Sequence, residues 1–378
     1  MSQRSKGQVY TLKIITHKQK ANIQNPVWWF DSNTTVAFDI ETTGFSKQSN
    51  FIYLIGFSYQ IKDELFCTQL LAQNRTDEPA ILQYFFDACK QFDSLLTFNG
   101  DQFDIPFVIA RGHIHHLSTQ AFEEMKRFDL YKALKKLKKI LPLPSTKQKS
   151  FEEFLQSDRL DEMDGGQLIK VYSDYEKIPS IEREELLLLH NYEDVLGLTK
   201  LQQLFLYDQL VKDPCVNPVV STYFDQSNEV LLTQEHSYSV PKEVSVRNLY
   251  GYFQIGLNKR KVLLRFKKDI YRIPLLPLQD YVYLISEDTV IPKALASTVD
   301  PSNLKKANSR NCFLERETEC IELPITLLSQ LEQYHISVWY PVHKLTKSKT
   351  IAITKDSYIQ NSTVLSSTIM NELFNLLL

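Results

Sequence analysis

The chain is predicted to be an α/β protein: a mixed sheet with helices on its faces, followed by a smaller β-rich α+β region. Three observations predict this. Strand-like apolar runs crowd together between residues 35 and 71. Helix and strand patterns then alternate up to residue 206. After a break at 211–218 that carries two prolines, the texture changes to many short apolar runs. The 378 residues exceed the roughly 100–200 of a common single domain, so two domains are expected, 1–208 and 209–378.

Residues 1–35 read as a leader packed on the first domain, with Trp28, Trp29 and Phe30 as anchors. Thr35–Ile40 is an apolar run carrying the strand formers Val36 and Phe38. Phe51–Gln60 and Glu64–Leu71 flank the polar turn Lys62-Asp63, and the three runs predict an antiparallel meander. Pro79–Phe92 has helical spacing, with Ile81, Tyr84, Phe85 and Cys89 on one face. Asp93–Phe98 returns as a short buried strand, and Asp104–Arg111 reads as a helix. Leu130–Ile140 reads as an amphipathic helix, with Leu130, Leu134, Leu137 and Ile140 opposite Lys132, Lys135, Lys136, Lys138 and Lys139. Phe151–Leu155, Gln167–Tyr175 and Ile181–Leu206 are further helices. Beyond the break, strands are expected at Val244–Val246, Val262–Phe266, Tyr281–Ile285, Ile336–Trp339 and Thr350–Ile353, with Ser367–Leu377 as a closing helix.

Composition narrows the function. A net charge of −2 excludes a polycation, so a nucleic-acid partner has to be held by a local basic patch. The five cysteines form no CxxC pair, which argues against structural zinc, and their low, odd count suits a reducing cytoplasm. No apolar run reaches the about 18 residues of a membrane span, and the first residues lack a signal-peptide core.

Three acidic motifs carry the chemistry. In Phe38-Asp39-Ile40-Glu41-Thr42-Thr43-Gly44, two carboxylates alternate on a strand and so share a face. Unpaired acids on a core strand are costly, and a divalent cation removes that cost. In Asn99-Gly100-Asp101-Gln102-Phe103-Asp104, a strand ends in a turn that Asn99 can hold, and Asp104 starts the next helix. In His190-Asn191-Tyr192-Glu193-Asp194, His190 and Asp194 are four apart on one helical face. Asp39, Glu41, Asp104 and Asp194 can converge on two Mg²⁺ or Mn²⁺ ions, an arrangement suited to cutting phosphodiesters, with His190 placed to take a proton. Each residue also has a plain structural role: Asp104 suits a helix N-cap and His190 a satisfied core histidine. Asn99, Phe103, Lys132, Lys135, Lys136 and Lys139 are the candidate nucleic-acid contacts, although such a lysine row also suits a solvated helix face. The basic run 259–272, interleaved with aromatics, suits either single-stranded nucleic acid or a strand alternating core and surface.

The motifs DIETTG, NGDQFD and HNYED, in this order, resemble those of the DEDD (DnaQ-like) exonuclease superfamily, and more closely its YprB-like ribonuclease H-like family. The resemblance covers roughly residues 33–208 and includes Gly165-Gly166 before a helix. It implies a ribonuclease H-like fold, a two-metal 3′–5′ exonuclease, and a single-stranded DNA or RNA end as substrate. The DEDD branches place a Tyr four residues, or a His five residues, before the last Asp. Here those positions hold His190 and Leu189, so His190 is either the base or a residue that orients the site. The competing reading is a nucleic-acid-binding scaffold with the fold but without catalysis. In either case the C-terminal domain is a candidate surface for a protein partner.

Overall fold

A computed structural model of the chain describes residues 12–20, 34–212, 217–342 and 349–378; Trp28, Trp29 and Phe30 lie outside these. The chain divides into two compact units, Met1–Leu206 and Tyr207–Leu378. Among the described residues, no helix is long and apolar enough to cross a membrane.

The first unit is built on a six-stranded mixed sheet. Its strands are β1 (Lys13–Lys20), β2 (Thr35–Thr42), β3 (Ile52–Ile61), β4 (Glu64–Leu71), β5 (Ser94–Thr97) and β6 (Lys126–Asp129), in the order β1-β4-β3-β2-β5-β6. β2, β3 and β4 form the expected antiparallel meander, while β5 and β6 run parallel to β2. β1 comes from residues read as leader, and its exposed lysines suit an edge strand. β6 has four residues, three of them charged, too little pattern to stand out in the sequence.

Period-two alternation divides β2 between two environments. Val36, Phe38 and Ile40 enter a core with Ile81, Phe85 and Phe122, and the Phe38 and Phe85 rings lie 5.1 Å apart. Phe85 belongs to α1 (Glu78–Cys89), which is followed by α2 (Asp104–Ile114) and by the short α3 (Gln120–Glu123), which carries Phe122. A buried ion pair ties these helices together: Arg111 Nε donates to Glu78 Oε1 at 2.8 Å, and the same oxygen accepts the backbone N–H of Ile52 at 2.8 Å.

The lysine-rich segment departs from the single helix expected over Leu130–Ile140. Only α4 (Leu130–Leu134) is α-helical, and Lys135–Lys139 winds as a 3-10 helix. In a 3-10 helix, residues three apart line up, so Leu134, Leu137 and Ile140 all face inward and are buried. The long helix expected over Ile181–Leu206 ends at Leu201 and passes through a 3-10 turn, Gln202–Leu204. Leu201, Leu204, Phe205 and Leu206 are all buried, more than one α-helical stripe would place inward.

The second unit contains a five-stranded antiparallel sheet, made of β7 (Val220–Phe224), β8 (Glu229–Glu235), β9 (Val244–Arg247), β10 (Tyr252–Ile255) and β11 (Lys259–Arg265), in the order β7-β8-β11-β10-β9. A four-stranded sheet includes Lys267–Pro274, Phe313–Pro324 and Thr350–Thr354, and a three-stranded sheet includes Tyr281–Leu284. Trp339, expected in a strand, makes an isolated bridge to Ala352, with the strand at Tyr340–Pro341 instead. Helix Ser362–Asn375 closes the chain.

The basic run of this unit spans two strands, β11 and Lys267–Pro274, and β11 alternates core and surface. Arg260, Val262 and Leu264 point inward and are fully buried. Arg260 donates to Gln234 Oε1 at 2.7 Å, to the Leu210 carbonyl at 3.0 Å and to Asn371 Oδ1 at 2.8 Å, with its guanidinium over the Phe374 ring. Three of the outward cations are matched by acids: Lys259 with Glu235 at 2.7 Å, Arg265 with Glu229 at 2.6 Å, and Lys267 with Glu322 at 2.9 Å.

Candidate metal centre

Strand register places the first carboxylate. Asp39 of β2 pairs with Gly56 of β3, and Gly56 pairs with Gln69 of β4, so the three form a row across the sheet. The helix α7 (Ile181–Leu201) lies over this row. Asn191 spans it: Gln69 Nε2 donates to Asn191 Oδ1 at 3.0 Å, and Asn191 Nδ2 donates to Asp39 Oδ2 at 3.2 Å. Glycine at 56 makes room for the amide, because a Cβ there would lie 2.0 Å from Asn191 Oδ1. Gly56→Ala is expected to cost about 1–3 kcal/mol by overpacking and to detach Asn191 from Asp39. A denaturant melt of the variant checks this, and an unchanged midpoint would refute it.

The remaining acids come from β2 itself, from α2 and from α7. Thr97 ends β5; Asn99 then takes φ of 64°, and a Cβ on Gly100 would meet the Thr97 side chain at 2.5 Å. This tight turn puts Asp104 in the first turn of α2, where it is buried. Asp129 holds the turn from the side: its Oδ1 accepts the N–H of Asn99 at 2.9 Å and that of Tyr131 at 3.0 Å. Glu41 comes from β2 and Asp194 from α7; one ligand atom each of Glu41, His190 and Asp194 lie within 4.8 Å of one another.

The electrostatics join the four acids into one cluster. The Asp39 carboxyl is held well above the usual range, first by burial and then by Asp104, Asp194 and Glu41. Glu41 is raised for the same reasons, by burial and then by Asp194 and Asp104. Asp104 is pushed up to about 7, mainly by burial. Acids that raise one another in a low-dielectric site provide the donor set a hard divalent cation requires. The residues present therefore fit Mg²⁺ or Mn²⁺.

A loop with no periodic signal completes the site. It links α5 (Gln148–Phe154) to α6 (Gly165–Lys177). Arg159 Nη1 donates to Asp194 Oδ1 at 2.6 Å and to Glu152 Oε2 at 2.9 Å, with its side chain 9% exposed. Glu193 accepts the N–H groups of Leu160 at 2.8 Å and Asp161 at 3.0 Å, which pins the loop to α7. Asp161 Oδ2 lies 2.7 Å from His190 Nδ1, while His190 Nε2 lies 3.2 Å from Asp194 Oδ2 and 3.5 Å from Glu41 Oε1. Gln69, Asn191, Arg159, Asp161 and Glu152 were not singled out from the sequence as site residues; Asn191 and Glu193 sat unassigned inside HNYED. Arg159→Ala leaves buried carboxylates facing one another and is expected to cost about 3–5 kcal/mol, read as a lowered unfolding midpoint. A midpoint within error of the parent would exclude that role.

The predicted nucleic-acid contacts are placed locally. Asn99 shapes the turn, and Phe103 packs on the Phe107 and Phe45 rings at 5.4 and 6.1 Å. Lys132 pairs with Asp101 at 2.6 Å, and Lys135 lies over the Tyr131 ring at 5.7 Å. Lys139 is exposed and Lys136 half-buried. A cavity of about 330 Å³ opens beside this segment, with Asp101, Arg127, Asp129 and Lys132 in its lining.

A sequence model of the RNase H superfamily matches residues 36–206. The uncharacterized protein YprB of Bacillus subtilis (strain 168) is 28% identical over 173 residues, covering 46% of this chain and 42% of YprB. The chain thus spans less than half the length of that curated relative. Among solved structures, the family B DNA polymerase of Pyrobaculum calidifontis aligns at 11% identity over 90% of this chain and 46% of its own, with a TM-score of 0.35. E. coli exonuclease I in complex with a dT13 oligonucleotide aligns at 9% identity over 90% of this chain and 74% of its own, with a TM-score of 0.30. Over residues 36–206, then, this chain is similar to the RNase H superfamily and to YprB.

Proposed function

We propose that the first unit is a metal-dependent nuclease that trims single-stranded nucleic-acid ends, with 3′–5′ polarity and two divalent cations. The observation that carries this reading is the convergence of Asp39, Glu41, Asp104 and Asp194 from β2, α2 and α7 into one mutually repelling cluster. Similarity of residues 36–206 to the RNase H superfamily supports it. Mg²⁺ or Mn²⁺ held by these acids would supply positive charge to the scissile phosphate and the leaving oxygen.

The chain's own residues orient that set. Asn191 fixes one oxygen of Asp39. Arg159 engages Asp194 Oδ1 and leaves Oδ2 on the side of Glu41 and His190. Arg127 and Lys132, at the cavity beside the second motif, supply cationic groups for backbone phosphates. We assign catalysis to residues 1–208, and to 209–378 a role in holding a partner.

The test is digestion of 3′- and 5′-labelled single-stranded DNA and RNA in Mn²⁺, with the Asp39→Ala/Glu41→Ala protein alongside. Shortening from the 3′ end that is lost in the variant is the expected result, and the better substrate identifies the nucleic acid. One observation favours the alternative, a binding module without catalysis: Arg159 already occupies one oxygen of Asp194. Metal-independent binding of the same strands without cleavage would establish that reading instead.

A further inference from the structure

We propose that His190 is a metal ligand, so that one cation of the centre is bound by an imidazole nitrogen as well as by carboxylate oxygens. The inference rests on the metal-nuclease reading and deepens it. The two ring nitrogens have different surroundings. Nδ1 is 2.7 Å from Asp161 Oδ2. Asp161 is itself buried and held by its own N–H on Glu193 and by the Met163 N–H on its Oδ1 at 3.1 Å. A carboxylate behind an imidazole fixes the ring and its tautomer, with the proton on the carboxylate side. The Nε2 lone pair then points to the opposite side, where Asp194 Oδ2 and Glu41 Oε1 lie at 3.2 and 3.5 Å.

With the Nδ1 proton facing Asp161, a lone pair grouped with two carboxyl oxygens calls for a cation among them, either a proton on Nε2 or a metal ion, and nitrogen coupling to bound Mn²⁺ tells the two apart. The three atoms lie within 4.8 Å of one another, close enough to bind a single ion. A general base needs its free nitrogen open to water. Here Nε2 is flanked by two acids in a side chain 11% exposed. Ligation therefore takes His190 out of the base role that its spacing left open. It also gives the centre a preference: imidazole favours Mn²⁺ and later first-row ions over Mg²⁺, whereas an all-oxygen site suits Mg²⁺.

The experiment is pulsed EPR on the full chain loaded with Mn²⁺, reading nitrogen hyperfine coupling, with natural-abundance and ¹⁵N-histidine protein and with His190→Gln. The expected result is a ¹⁴N coupling that converts to the ¹⁵N pattern on labelling and disappears in His190→Gln. That variant should bind Mn²⁺ at least about tenfold more weakly at one site. Isotope conversion in the unmutated protein keeps the test valid even if the variant folds poorly. Bound Mn²⁺ without nitrogen coupling overturns the ligand role and leaves the carboxylate centre standing. No bound Mn²⁺ at all overturns both.

Discussion

Asp39→Asn should abolish metal-dependent cleavage, by at least roughly a hundredfold, and at the same time raise the melting temperature of the metal-free protein. The two effects have one origin. The Asp39 carboxyl is held high by burial and then by Asp104, Asp194 and Glu41, so its charge is unfavourable in the folded state without a cation. Asparagine has the same shape, removes the charge, and still offers an oxygen to Asn191 Nδ2, which lies 3.2 Å away. The cation loses a ligand while the empty fold loses a repulsion. Activity assays and thermal melts in a chelator, with parent and variant side by side, read both quantities. A variant that loses activity because it unfolds would melt lower, and that outcome would sink the account.

The second large effect is on pH. A carboxyl whose folded pKa is raised contributes stability that is fully present below its unfolded value, near 4, and is lost as pH rises through the folded value. For Asp104 that folded value is about 7, and Asp39 and Glu41 are displaced in the same direction. Without metal, the first unit should therefore weaken between about pH 4 and 7 and beyond. Saturating Mn²⁺ should reverse the loss at neutral pH, raising the midpoint by on the order of 5–10 °C. The gain from metal should shrink toward pH 5, where the acids take up protons and no longer bind the ion. Melts at several pH values with chelator or Mn²⁺ measure the difference directly. A metal-induced gain that stays the same from pH 5 to pH 8 would contradict the buried-acid origin.

Much of this could be read from the residues because it depends on local pattern. Alternation put Asp39 and Glu41 on one face of β2 with Val36, Phe38 and Ile40 on the other, and α7 does lie over the acidic face. The four-residue spacing brought His190 and Asp194 together, and their side chains lie 3.2 Å apart. The meander over β2, β3 and β4 followed from three apolar runs.

What could not be read depends on contacts between residues far apart in the chain. Arg159 and Asp161 lie in a loop without periodicity, and their place on Asp194 and His190 exists only once that loop is pinned by Glu193. Gly56 looks unremarkable until Asn191 arrives across the sheet to occupy the space a side chain would need. Arg260 reads as a surface cation in a basic run and is fully buried, because Gln234, Asn371 and two backbone carbonyls satisfy it there. Side-chain type and spacing are properties of short segments. Burial, partner and charge state depend on which distant segments pack together, and at this centre those decide what each His190 ring nitrogen faces.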